Sequence, residues 1–256
     1  MILTIDIGNS NICIGCVKDH AVQFVERMHS DRSKTDLEYL IGIKAVLELY
    51  SIPAEALHGA IISSVVPPLT DIFCKAVKKL AGITPMIVGP GIKTGINILP
   101  AGVGADLVVG AVAAAECYSV PAIIIDMGTA TTVTVVDKNR SFIGGVIFPG
   151  VQIALRSLTS GTAQLPQIPL KAPQKVIHME TIDSMQAGVV YGNAGAMDGL
   201  IDRMLDEIGE PAAVIATGGL APLIIPHCTH EIVIDNELLL KGLDILYWKN
   251  QKKAST

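Results

Sequence analysis

Aromatic side chains make up only 4% of the 256 residues, with a single tryptophan, so a core has to be built from Ile, Val, Leu, Ala and Met. No basic cluster interrupts the chain and the formal net charge is −5, which excludes the positive footprint that nucleic-acid binding needs. No apolar run approaches the ~18 residues of a membrane span. The longest candidate, Leu107 to Ala115, is bounded by Asp106 and Glu116. The amino terminus opens directly on a strand pattern, without a basic n-region or a cleavage-site pattern, so no signal peptide is read there. The five cysteines are odd in number and scattered, which points to free thiols and a cytoplasmic setting.

Two short motifs resemble metal or redox sites. Cys13 and Cys16 form a C-x-x-C, but inside an apolar run that reads as a strand, where residues three apart point to opposite faces. Buried small hydrophobes are the alternative to a redox or zinc pair. His227-Cys228-Thr229-His230 has no second pair elsewhere, so a polar loop competes with a metal site.

What is present is a set of β-branched runs alternating with helical stretches, the mark of an α/β protein. Ile2–Ile7 and Ile12–Val17 are apolar runs joined by Gly8-Asn9-Ser10-Asn11, which reads as a hairpin. Residues 35–50 place Leu37, Leu40, Ile41, Ala45 and Leu47 at helical spacing, predicting an amphipathic helix with those residues inward. Ala60–Val66 reads as a buried strand stopped by Pro67-Pro68, followed by a helix ending near Ala81-Gly82. Met86–Val88 is another strand and Val108–Cys117 an Ala-rich helix.

The pattern then restarts. Ile125-Asp126-x-Gly128 repeats Ile5-Asp6-x-Gly8 at a separation of 120 residues, and in both places a β-branched strand returns after small polar residues. Such a repeat at half-chain spacing predicts two similar lobes, residues 1–118 and 119–256. Ala213–Ala216 with Thr217-Gly218-Gly219 holds the place in the second half that Ile61–Val66 holds in the first. A long helix is predicted over Ile182–Ile208. Its Gly188, Gly192, Gly195 and Gly199 share one face, where either a dimer contact or close packing on the sheet would use them. The polar tail Gln251–Thr256 is expected to fray.

A turn of small residues leaves backbone N–H groups free to meet phosphate oxygens, and an Asp at the strand end can hold a metal or its waters beside them. One Asp-x-Gly turn is ordinary turn chemistry, but a spaced pair suggests a nucleotide held by both halves. Gly89–Gly95 contains Lys-Thr without a glycine directly before the lysine, so it is not a Walker A loop. No G-x-G-x-x-G follows a strand, which argues against a dinucleotide fold. Asp106 precedes the Ala-rich helix and is either its N-cap or a carboxylate base for an attacking hydroxyl.

Asp6–Asn11, His29-Ser30-Asp31-Arg32, Ile62–Pro68, Gly89–Gly95, Gly104-Ala105-Asp106, Asp126–Thr132, Gly144–Gly150, Met185–Gly188, Tyr191-Gly192 and Ala216–Gly219 together resemble the type III pantothenate kinase family in order and spacing. The resemblance covers about Met1 to Trp248. It implies a duplicated ribonuclease H-like, actin-like ATPase fold with two lobes around a nucleotide cleft. It also implies ATP-dependent phosphorylation of the primary hydroxyl of pantothenate, the first step of coenzyme A synthesis, by a homodimer using Mg²⁺ and K⁺ or NH₄⁺. Asn236–Trp248 is left open to return to the first lobe.

Carried onto matching positions, the resemblance implies that Asp6, Ile7, Gly8, Asn9, Ser10 and Asn11 hold the ATP phosphates, Asp6 assisting Mg²⁺. Asp126 is implied as the K⁺ ligand, Thr129 as an ATP contact, and Gly218 and Gly219 as the border of the adenosine. Gly104, Ala105, Asp106 and Leu107 would line the acceptor, with Asp106 as general base and Thr181 against the acyl substrate. Two departures fall on the acceptor side. Leu107 stands where the family has Arg, and Leu99-Pro100-Ala101-Gly102 is short where the family has a Tyr-Asp-Asn-Pro-like stretch. They raise the alternatives of a kinase for another small alcohol, or of a nucleotide-binding regulator. On the ATP side Ser10 replaces the usual Thr, which keeps the hydroxyl.

Overall fold

The computed structural model describes residues 1–251; the expected frayed tail beyond Gln251 lies outside the described residues. The chain forms two compact units, one of Met1–Cys117 with the segment from Glu237 onward, the other of Tyr118–Asn236. The carboxy-terminal helix thus belongs to the first unit.

In the first unit the hairpin β1 (Ile2–Ile7) and β2 (Asn11–Lys18) continues into a third strand, β3 (Ala21–His29), that the sequence pattern left unread. β4 (Gly59–Ser64) and the short β5 (Met86–Ile87) complete a sheet of order β3-β2-β1-β4-β5, with β4 parallel to β1 and β2 antiparallel to it. Alternate residues of β1 serve opposite faces, as the two-residue period requires. Leu3, Ile5 and Ile7 join a core with Tyr39, Ile43 and Leu47 of α1 (Asp36–Leu49) and Leu69, Phe73, Ala76 and Val77 of α2 (Pro67–Ala81).

The expected inward face of α1 is corrected by the structure. Leu37 and Ile41 are 55% and 57% exposed, while Tyr39, Ile43 and Leu47 are buried. The apolar residues of this helix run nearly all round it, so spacing alone fixed its existence but not its phase. Its start is set locally: Thr35 and Glu38 form a reciprocal capping box. Two prolines open α2 and left-handed Gly82 closes it.

The other face of the sheet is covered by α3 (Ala105–Cys117) and α7 (Leu238–Asn250), which pack on each other. Their approach is close because Gly242 has no side chain: a Cβ there would run into the Val109 carbonyl oxygen, with the Val109 Cγ1 at 2.8 Å. The end of α7 is fastened by Lys249 to Glu116 at 2.8 Å and by the Asn250 amide, which bonds both the backbone N–H and the carbonyl of Lys93.

The second unit repeats the plan. β7 (Ala122–Met127), β8 (Ala130–Val136) and β9 (Ser141–Pro149) form an antiparallel meander, and β10 (Ala213–Thr217) and β11 (Val233–Ile234) add in parallel on the far side of β7, giving β11-β10-β7-β8-β9. Val151 and Leu155 of α4 (Val151–Ser160) are buried, as are Val190, Ala194, Met197 and Ile201 of α5 (Thr181–Ile208). No helix among the described residues is long and apolar enough to cross a membrane.

Overpacking a close helix contact costs about 1–3 kcal/mol. Gly242→Ala is therefore expected to lower the denaturant midpoint by that equivalent at an unchanged m value. A wild-type midpoint would show that α3 and α7 do not touch at this point.

Candidate active site

The strand-end aspartates are built by register. Asp6 lies between Cys13 of β2 and Ser63 of β4, and is 8% exposed. It shares a face with Thr4, whose hydroxyl donates to the Gly15 carbonyl at 3.0 Å, and so points to the α3/α7 side, away from the aliphatic core. The turn beyond it closes by the Gly8 amide donating to the Asn11 carbonyl at 3.0 Å. Ser30, at the end of β3, braces this turn from outside: its hydroxyl donates to the Gly8 carbonyl at 2.6 Å and its amide to the Ser10 carbonyl at 3.0 Å. With those carbonyls engaged, the exposed Asn9 and the half-buried Ser10 form the tip.

Asp106 is brought to the same unit and the same face of the sheet by α3. The helix begins at Ala105, so Asp106 lies in its first turn and is not the N-cap considered from sequence. Its Oδ1 accepts the neighbouring Leu107 amide at 2.8 Å. Burial pushes this carboxyl above its ordinary value, although that amide bond pulls the other way. Gly104 fits the turn closely: a Cβ there would lie 2.6 Å from Asp106 Oδ1 and 3.8 Å from the Val65 side chain that follows β4. Ala105 and Leu107 are half-buried beside it.

In the second unit Asp126 occupies the matching position, between Thr132 of β8 and Thr217 of β10. Gly218, at φ 97°, lies directly against it; a Cβ would come within 2.7 Å of Asp126 Oδ1 and 2.6 Å of the Met127 carbonyl. Asp126 and Gly218 are thus neighbours, with the exposed Gly219 next to them. Thr129 is the tip of a turn closed by the Gly128 amide on the Ala130 carbonyl at 3.1 Å. Thr181 is exposed at the start of α5, where it lines an apolar groove with Val151, Leu155, Leu158, Met185 and Gly188.

Among the described residues no three His, Cys, Asp or Glu side chains are gathered to hold a metal. Mg²⁺ needs no such cluster: it is held by one or two carboxylates together with phosphate oxygens and its own waters, a role the single carboxylate of Asp6 could fill. A buried hydroxyl without a partner, Ser63 Oγ, stands in register beside that carboxylate and adds to the fit. At Asp126 only a glycine fits at 218, because a Cβ would run into the carboxylate and the Met127 carbonyl.

The sequence-stretch 227–230 is engaged otherwise. His227 packs edge-on against the Tyr191 ring, His230 Nε2 bonds Asp202 at 2.8 Å, and the Cys228 thiol reaches the Ala194 carbonyl. Cys16 is buried, which pushes its thiol up to about 12, while Cys13 on the other face is half-exposed. Sequence reasoning missed Ser63, Thr217 and the bracing role of Ser30. The available signal for the first was a pair of serines ending an otherwise apolar buried strand.

A model of the type III pantothenate kinase family matches residues 2–203. Type III pantothenate kinases of Halalkalibacterium halodurans and Brevibacillus brevis are each 42% identical to this chain, over 253 and 254 residues, covering 98% of it and 100% of each relative. Among solved structures, component A of (R)-2-hydroxyglutaryl-CoA dehydratase from Acidaminococcus fermentans superposes with a TM-score of 0.55 at 15% identity, covering 96% of both chains. A ROK family glucokinase from Streptomyces griseus gives 0.50 at 13% identity, covering 95% of this chain and 98% of that one. These likenesses show the α/β fold of actin-like ATPases and sugar kinases, two related halves each built on a mixed sheet. With a family match over residues 2–203 and full-length relatives at 42% identity, this chain belongs to the type III pantothenate kinase family.

Proposed function

We propose that this protein is an ATP-dependent kinase that phosphorylates the primary hydroxyl of pantothenate, the first step of coenzyme A synthesis. The observation that carries the reading is the full-length 42% identity to two type III pantothenate kinases. The first unit adds its own support, since it holds the braced Gly8–Asn11 turn, the strand-end Asp6 and a carboxyl, Asp106, raised by burial.

Phosphoryl transfer asks the protein mainly for position and charge. In this reading the backbone of the Gly8–Asn11 turn faces the nucleotide phosphates, with Ser10 adding its hydroxyl. Asp6 holds Mg²⁺, which when bound neutralises charge on the transferred group. Asp106 accepts the proton from the acceptor hydroxyl, and its raised pKa makes it a stronger base than an exposed aspartate. Asp126 serves K⁺, Thr129 the nucleotide, Gly218 and Gly219 the adenosine, and Thr181 the acyl chain. The setting is cytoplasmic. A second reading, a kinase for another small alcohol, is favoured by Leu107, which offers no charge to an anionic acceptor. In the pantothenate reading, Lys93 or Arg156, both exposed, could supply a substitute cation.

The protein is also read as a homodimer joined through α5. Gly188, Gly192 and Gly195 are exposed and have open space where a side chain would be, so they are not packed on their own sheet. They lie between two apolar grooves, one against α4 and one beside Val146, Ile147 and Phe148 of β9, where Ile147 is 69% exposed. Glycines on one helix face permit close approach of a second copy. Gly192→Arg is expected to convert a dimer to a monomer in analytical ultracentrifugation with its folded circular-dichroism spectrum retained; a wild-type protein that sediments as a monomer removes this assembly.

Phosphopantothenate formation from ATP, Mg²⁺ and pantothenate, followed by mass spectrometry with and without K⁺, tests the activity. Asp106→Asn should lower turnover by roughly 10²–10⁴-fold while nucleotide affinity is kept. Near-normal turnover would leave Asp106 a helix residue only, and phosphorylation of a different alcohol would favour the second reading.

The pH profile gives an independent check. The base works deprotonated, and burial raises its pKa, so kcat/KM should fall as pH drops through a value above the ordinary aspartate range of about 3.9. An acid limb at or below that range would contradict a buried base.

A further inference from the structure

Ser63 lies on a central strand of the first unit, and the described contacts leave its polarity unexplained. It lies on β4, fully buried, and its hydroxyl has no hydrogen-bond partner among the described residues. The strand around it is apolar, with Ala60, Ile61 and Ile62 at 2% exposure or less, so an alanine would fill the position without the desolvation penalty of an unpaired hydroxyl. The neighbouring serine is accounted for locally: the Ser64 hydroxyl accepts the Val66 amide at 3.0 Å.

Its position is specific. Ser63 pairs with Asp6 in the parallel β1–β4 register, so both side chains leave the sheet on the same face, about one strand spacing of ~4.8 Å apart. The strand end is held, because the Val65 amide donates to the Ile7 carbonyl at 3.0 Å and Val65 packs under Gly104. The second unit repeats the pair with Asp126 and Thr217, a hydroxyl residue 3% exposed in the same parallel register. A hydroxyl beside each strand-end aspartate is therefore a feature of the duplicated plan, present although the two halves share few other letters.

We propose that Ser63 is an outer-shell ligand of the divalent-cation site at Asp6, its hydroxyl bonding a water of the cation that accompanies the bound nucleotide. This rests on the kinase reading. Asp6 supplies the charge and Ser63 fixes the hydration shell, so the pair holds the cation at one place relative to the Gly8–Asn11 turn. Losing an outer-shell partner typically weakens metal binding about 10- to 100-fold.

The test uses the full chain with Mn²⁺ as the probe, counting free Mn²⁺ by electron paramagnetic resonance in the presence of ADP, alongside metal-free thermal unfolding. Ser63→Ala is expected to weaken Mn²⁺ binding to the ADP complex by about 10- to 100-fold, and to melt without metal at or above the wild-type temperature. Ser63→Thr, which restores the hydroxyl as in Thr217, is expected to recover most of the affinity. Equal Mn²⁺ affinity in Ser63→Ala and wild type overturns the assignment alone. A lower metal-free melting temperature for Ser63→Ala also overturns it, since the hydroxyl then serves the fold itself. A wild-type protein that binds no Mn²⁺ with ADP overturns the kinase reading and this assignment together.

Discussion

The register of β1 is the constraint on which the first unit depends. Its six residues are all buried, yet they divide strictly by period two: Leu3, Ile5 and Ile7 go to the aliphatic core with α1 and α2, Thr4 and Asp6 to the face under α3 and α7. A one-residue slip would put a carboxylate into the core and an isoleucine on the face that Asp6 now occupies. Two things forbid it. Five aliphatic or aromatic side chains of α1 and α2, from Tyr39 to Phe73, are fully or nearly fully buried against those alternate positions. The strand is also paired on both edges over its full length, antiparallel to β2 and parallel to β4. The same pairing that secures the core therefore aims Asp6.

The second unit obeys the same rule with a different tip. Ile7 pairs with Ile12, which leaves Gly8–Asn11 between them, whereas Met127 pairs with Thr131, which leaves only Gly128–Ala130. The first turn is longer by one residue and is braced by Ser30. The second is tighter and has Gly218 pressed on its aspartate. Duplication supplied one scaffold, and its two copies differ in turn length and in what packs on the strand-end aspartate.

Much of this was legible in the residues. The hairpins, the repeat of Asp-x-Gly and the prolines and glycine bounding α2 are signals of local backbone chemistry, and local chemistry decides them. The phase of α1 was not legible, because Leu37 and Ile41 are as apolar as Ile43 and Leu47, and only the neighbouring sheet chooses between them. β3 was missed because Gln23, Glu26 and Arg27 break its apolar pattern; one side of an edge strand meets solvent. Ser63 was unreadable as a site because its meaning comes from a strand partner 57 positions away, Asp6, and register between distant strands is a tertiary fact.

Asp106 brings the local and tertiary levels into conflict. A first-turn position in a helix and an amide bond from Leu107 both favour the charged carboxylate, and each would lower its pKa. Burial opposes them and prevails, so the net direction is upward. An arginine at position 107 would add a third acidifying influence at close range. Leucine there removes it, leaving the balance between burial and two backbone amides, those of Leu107 and of Asp106 itself. In the proposed mechanism, where Asp106 is the base and position 107 lies on the acceptor side, a change at 107 would bear on both the charge offered to the acceptor and the basicity of the carboxylate.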